Sequence, residues 1–309
     1  MKEKKLFVVY LAALAFTLIT GLSFIFGKVA LAVAHPLDLL AFRFTASFLG
    51  ILSLFFFKKV HFRYTLKQIL KILPLALFYP LLFFTFQTFG LEAASAIEAS
   101  ILSASIPIFT LLMATFFLKE RASLLQIISI IASVAGVIYI TLMKGASLEI
   151  RSLKGIIFIL LSTLSFAGYS VLARILTKEF SSLELTTIMV VISFLCFNIL
   201  VVGKHLVSGT LHQFLLPLKD YKFVISVLYL GLLSTMGTSF LTNLVLSHLE
   251  ASKMSVFSNL GTIITVIASV VFLKEELYYY HIIGSLLIIG GVLGTNFLDK
   301  KRAKRQNST

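Results

Sequence analysis

Long apolar runs, each about the length of a bilayer crossing and separated by short polar links, dominate the chain. A span needs roughly 20 apolar residues. On that ruler the sequence predicts ten helices: Leu6–Ala34, Leu37–Phe57, Ile69–Phe89, Ser95–Leu118, Ser123–Met143, Leu153–Leu176, Glu184–Val202, Phe223–Leu246, Ala251–Leu273 and Tyr278–Phe297. The punctuation between them is local chemistry. Pro36 follows the first run, Lys58, Lys59, His61 and Arg63 end the second, and Ser123 with Gln126 makes a capping-box pattern at the start of the fifth. The first run follows a basic start and resembles a signal peptide, but its length predicts a retained helix.

The pattern repeats. Phe117-Leu-Lys-Glu120 recurs as Phe272-Leu-Lys-Glu275, an offset of 155 (274 − 119). Around it Leu91, Ala96, Ser100 and Ile108 recur as Leu246, Ala251, Ser255 and Ile263, and Gly136-Val137 as Gly291-Val292. The front of each half aligns at an offset of 146 (174 − 28), pairing Gly21–Lys28 with Ala167–Arg174. The predicted domains are therefore 6–143 and 153–297, followed by a basic, disordered tail at 298–309. Five helices per half is an odd number, so the second copy enters from the opposite face. This is the inverted-repeat logic of secondary transporters.

Composition narrows the function classes. Of 309 residues 59% are hydrophobic and 13% charged, against about a quarter charged in soluble domains, so the class is an all-α integral membrane protein. A net charge of +14 invites a nucleic-acid partner. The basic residues, however, sit in short links and the tail, as the positive-inside rule expects, and no nucleic-acid partner follows. Their asymmetry predicts both termini in the cytoplasm of a cell-membrane protein. The single Cys196 excludes an intramolecular disulfide framework. No G-x-x-x-x-G-K-[ST], H-E-x-x-H or G-x-S-x-G pattern occurs in the sequence, and no cofactor, metal site or catalytic residue is predicted.

The five-helix repeats, Gly21-Leu-Ser-Phe-Ile-Phe-Gly-Lys28, Arg43 early in helix 2, the small-residue helix 4 with Pro107, and the Leu-Lys-Glu endings together resemble the EamA family of the drug/metabolite transporter superfamily. The resemblance implies a ten-helix carrier of amino acids, other metabolites or drugs, often outward. It also implies a central cavity lined by helices 1–4 and 6–9, with helices 5 and 10 peripheral. Three positions depart from the family pattern: Thr20 replaces a common Trp, Thr262 replaces the helix-4 proline in the second copy, and Glu98 places a charge among small residues.

Polar groups inside a span must find partners or line a cavity. Thr235, Ser239 and Asn243 share one face of helix 8. Ser239 and Asn243, with Tyr79, Gln87, Tyr169 and Asn259, are the predicted solute contacts; bridging between helices is the alternative for the helix-8 stripe. Ser100 and Ser103 belong to a small-residue stripe that serves packing or cavity lining. Gly290 and Gly294 form a packing or dimer seam, which makes a homodimer a candidate partner. Glu98, Lys28 and Arg43 are the coupling or gating set: Glu98 as a proton site inside the membrane, or as half of a static ion pair that shuts the outer gate. The expected function is secondary transport of a small organic solute through the lipid bilayer, coupled to protons or another ion. An uptake carrier or exchanger, a membrane-embedded enzyme and a non-transporting membrane subunit are the alternatives.

Overall fold

The computed structural model describes residues 2–56, 65–118, 124–143, 150–249 and 251–290, and among these the regular elements are all helical. Ten principal helices follow one another: α1 (Lys2–Leu31), α2 (Pro36–Phe56), α3 (Leu66–Ala93), α4 (Ala96–Ser103, continuing as Ile106–Leu118), α5 (Leu124–Met143), α6 (Ile150–Leu176), α7 (Ser182–Val207), α8 (Tyr221–Leu246), α9 (Ala251–Ala268, continuing as Ser269–Leu273) and α10 (Tyr279–Gly290). Seven of them are long and apolar enough to cross a membrane, α9 and α10 contribute shorter apolar stretches, and α5 carries no charge over 20 residues. The chain is a multi-pass membrane protein.

The helix starts keep the spacing of the sequence repeat. α3 and α8 begin 155 residues apart (221 − 66), as do α4 and α9 (251 − 96) and α5 and α10 (279 − 124), while α2 and α7 begin 146 apart (182 − 36). Local caps fix several of these starts. Thr65 with Gln68, Ser95 with Glu98, and Ser181 with Glu184 each form a reciprocal capping box. The predicted cap at Ser123 lies outside the described residues. Several ends differ from expectation, among them the end of α1 at Leu31 and of α3 at Ala93, and two of the differences have a visible physical cause. α3 starts three residues earlier than its apolar run, because Thr65 caps it. α7 runs past Val202 to Val207, because His205 is held by Asp38 at 3.0 Å and by Thr210 at 2.8 Å.

The two halves interleave rather than sit side by side. α1 packs on α8 and α9, and its counterpart α6 packs on α3 and α4; α2 packs on α7 and α8. Glycine permits the tightest crossings. A Cβ at Gly21 of α1 would lie 2.8 Å from the Gly261 carbonyl oxygen of α9, and one at Gly231 of α8 would lie 2.5 Å from Ala46 of α2. α5 and α10 cross at Gly136 and Gly284, and turn Ile128, Ile131, Val134, Ile282 and Leu286 outward. They form the periphery, with lipid as the natural neighbour of those side chains. A Cβ at Gly290 would meet no described residue outside its own stretch of helix within 4 Å.

Candidate functional site

Three of the central helices are irregular where they pass the middle of the bundle. In α3, Pro74 and Pro80 each remove a backbone donor, and the ladder widens to a π turn at Leu77–Leu82 with Tyr79 in an extended conformation (φ −146°, ψ 123°). α8 widens the same way over Tyr229–Gly237 without a proline. Tyr79 and Ser234 are repeat counterparts (234 − 79 = 155), so the two breaks fall at equivalent points of the two halves. α4 is interrupted at Ala104 and Ser105, just before Pro107.

A cavity lies between these breaks. It is bounded by α1, α3 and α4 of the first half and by α6, α8 and α9 of the second, and the space not filled by atoms, its open end included, is about 570 Å³. Phe16, Phe24, Phe83, Phe84 and Phe166 supply an aromatic wall. Thr20, Ser23, Ser100, Ser103, Ser234, Thr238 and Thr262 supply hydroxyls, and Tyr79 and Gln87 complete the polar set. No Asp, Glu, Lys, Arg or His is among the described residues that line it.

The predicted solute contacts divide into two groups. Tyr79 and Gln87 line the cavity. Tyr79 is braced from behind: its ring stacks on Tyr169 at 4.6 Å between centroids, and its hydroxyl lies 3.3 Å from that of Thr238. Tyr169 donates to Asn243 Oδ1 at 2.8 Å, and Asn243 Nδ2 donates to the Thr186 hydroxyl at 3.2 Å, so this chain of bonds ties α6, α7 and α8 together. Ser239 donates to the Thr235 carbonyl in its own helix at 2.5 Å. Tyr169, Ser239 and Asn243 are fully buried and lie outside the cavity lining. Asn259 of α9 is buried too, and its Oδ1 makes no hydrogen bond with a described residue.

The coupling or gating set is also divided. Glu98 stands in the first turn of α4, where its carboxylate accepts from the Ser95 backbone N–H at 3.1 Å. Lys28, partly buried, lies in the last turn of α1, at the same end of the bundle as the start of α4. Arg43 is elsewhere. It is buried in α2 and reaches across to the break in α8: Nε donates to the Thr235 hydroxyl at 2.6 Å, and Nη2 donates to the Ser234 hydroxyl at 3.0 Å and the Ser234 carbonyl at 3.3 Å. Its guanidinium also lies 3.7 Å from the centre of the Phe84 ring, a cation–π contact.

Sequence reasoning missed several cavity residues. Ser23, Ser234 and Thr238 carried no periodic signal of their own. Pro80 in α3 and Gly231 and Gly237 in α8 were the available signals for the breaks. Thr20 and Thr262 were visible only as departures from the family pattern, and both face the cavity. A contact that no local pattern announces is made by Glu275, from the second Leu-Lys-Glu ending. Its carboxylate accepts from the backbone N–H groups of Ala96 at 2.8 Å and Ile97 at 3.0 Å, capping α4 from the other half.

A family model described as the EamA-like transporter family matches residues 7–142 and 153–297. The chain belongs to this family. Among EamA relatives, an uncharacterized transporter of Bacillus subtilis, YcxC, is 46% identical over 296 residues, covering 96% of this chain and 95% of that protein. An uncharacterized transporter of Archaeoglobus fulgidus is 25% identical, covering 88% of this chain and 92% of its own length. A solved crystal structure matches the fold with a TM-score of 0.64 at 16% identity, covering 95% of this chain and 98% of that one. An EamA chain of this kind is a membrane transporter by family and by relatives.

Proposed function

We propose that this chain carries a small organic metabolite across the cell membrane by alternating access, with export as its working direction and both termini in the cytoplasm. The observation that supports this reading is the cavity itself: an aromatic and hydroxyl-lined space between equivalent helix breaks of two interleaved halves. Broken helices at the repeat interface expose backbone and side-chain polar groups where a solute can replace water. In this reading Tyr79 and Gln87 touch the solute, while Tyr169 and Asn243 hold Tyr79 in place. Glu275 and Glu98 close the end of α4 and act as a gate. Glu98→Gln then keeps any gradient-driven accumulation, whereas loss of accumulation with exchange retained makes Glu98 the proton site.

The test uses the full chain alone in proteoliposomes. Vesicles preloaded with labelled amino acids and small carboxylates release at least one of them faster than protein-free vesicles, and Tyr79→Ala slows that release about tenfold, the equivalent of about 1.4 kcal/mol. Folded protein that gives no flux above empty vesicles for any member of the panel overturns the reading.

A further inference from the structure

The Arg43–Ser234 pair bears on what the cavity binds. Arg43 is 4% exposed, and among the described residues it has no carboxylate partner; it meets two hydroxyls, a carbonyl and a ring. A charge at such depth costs roughly 2.5–3.5 kcal/mol on insertion scales, so it calls for compensation. The two hydroxyls that accept from it are not equivalent. Thr235 passes its own hydrogen to the Leu230 carbonyl at 2.8 Å, completing a closed chain. Ser234 accepts from Arg43, donates to no described residue, and lines the cavity. One of its lone pairs accepts from a cation, so its O–H is polarised and remains available as a donor at the cavity wall. Phe84, also in the wall, separates the guanidinium from the cavity by a single ring.

The rest of the lining agrees in sign. It offers hydroxyls, an amide and aromatic rings, and its described residues include no acid that would neutralise a cation. In a low-dielectric site a fixed positive charge one side chain away favours an anionic oxygen and opposes an ammonium. Resting on the transporter reading above, we infer that the cavity takes a carboxylate-bearing solute with an apolar or aromatic body. The carboxylate receives the Ser234 O–H under the field of Arg43, and the body lies against the phenylalanine wall.

A matched probe series tests this without knowledge of the natural solute. Phenylacetate, phenylacetamide and phenethylamine share a ring and differ in charge. Binding to the purified full-length protein is followed by calorimetry, and counterflow of the same compounds is followed in proteoliposomes. The expected result is phenylacetate bound at least tenfold tighter than either of the others. Ser234→Ala, which leaves Arg43 bonded to Thr235 and stacked on Phe84, reduces that preference about tenfold. Equal or better binding of phenethylamine, no binding of phenylacetate, or an unchanged preference in Ser234→Ala overturns the inference. Arg43→Gln is expected to abolish the preference, and if that variant does not fold, the wild-type series and Ser234→Ala still decide. Phenylacetate binding without counterflow keeps the carboxylate site and overturns transport; counterflow without charge preference does the reverse.

Discussion

Single residues show how the same chemistry serves framework and site. Asn243 and Gln87 are both buried amides in the C-terminal parts of their spans. Asn243 is bonded at both ends of its amide, to Tyr169 and Thr186, whereas Gln87 makes no hydrogen bond with a described residue and lines the cavity. The two should respond differently to truncation. Asn243→Ala leaves the buried Tyr169 hydroxyl without its acceptor, while the Thr186 hydroxyl keeps its bond to the Ser182 carbonyl; the cost is about 1–3 kcal/mol. The expected outcome is a melting temperature lower by several degrees, with solute affinity within about threefold of wild type. A large loss of affinity at unchanged stability would place Asn243 at the solute instead. Both departures of the chain from its family pattern outside the charged set, Thr20 and Thr262, lie on the cavity wall. Thr262 also donates to the Ser100 carbonyl of α4 at 3.0 Å, a bond that a proline could not make. This is consistent with a common scaffold whose solute preference is set by a few wall positions.

At the scale of elements, the ends of helices matter as much as their faces. α4 begins with a capping box of its own and receives a second carboxylate, Glu275, on its first two backbone N–H groups. An anion at a helix N-terminus stabilises it by roughly 0.3–1 kcal/mol, more when partly buried. Glu275 comes from the link between α9 and α10, so the bond joins the two halves at one face of the bundle. If this contact closes that face, Glu275→Gln should let it open more often. Ser103→Cys in a Cys196→Ala background reports this. An impermeant maleimide applied from the α1–α2 face should label the introduced thiol about fivefold faster when Glu275 is also changed to Gln, as a shift of about 1 kcal/mol implies. An unchanged rate would assign Glu275 to stability alone.

For the whole molecule, the odd number of helices in each half makes equivalent positions face opposite sides. Leu66 and Tyr221 are such a pair (221 − 66 = 155), both exposed at the start of their helices. Cysteines placed there, again without Cys196, should be labelled from opposite faces of right-side-out vesicles: Leu66→Cys only after permeabilisation, Tyr221→Cys directly. Labelling of both from one side would end the inverted arrangement. The interleaved packing also explains why the cavity is shared between the halves. α1, α3 and α4 form one part of the wall and α6, α8 and α9 the other, so the site exists only where the repeats meet.

Helix number, approximate helix ends, the duplication and the family were legible in the sequence. Each rests on local or periodic information: apolar length against bilayer thickness, capping pairs, and self-similarity at fixed offsets. Tyr79 and Gln87 were also reachable, as polar residues in apolar runs. What the sequence left open was which polar groups are spent on one another. Tyr169, Asn243 and Thr186 lie on three helices, Arg43 and Ser234 are 191 residues apart, and Glu275 and Ala96 are 179 apart. A hydroxyl or a guanidinium has the same sequence signature whether its partner is a neighbouring helix or a solute. Only the packing of the two halves decided that Asn243 bonds within the protein, that Arg43 bonds the π stretch of α8, and that Ser234 lines the cavity.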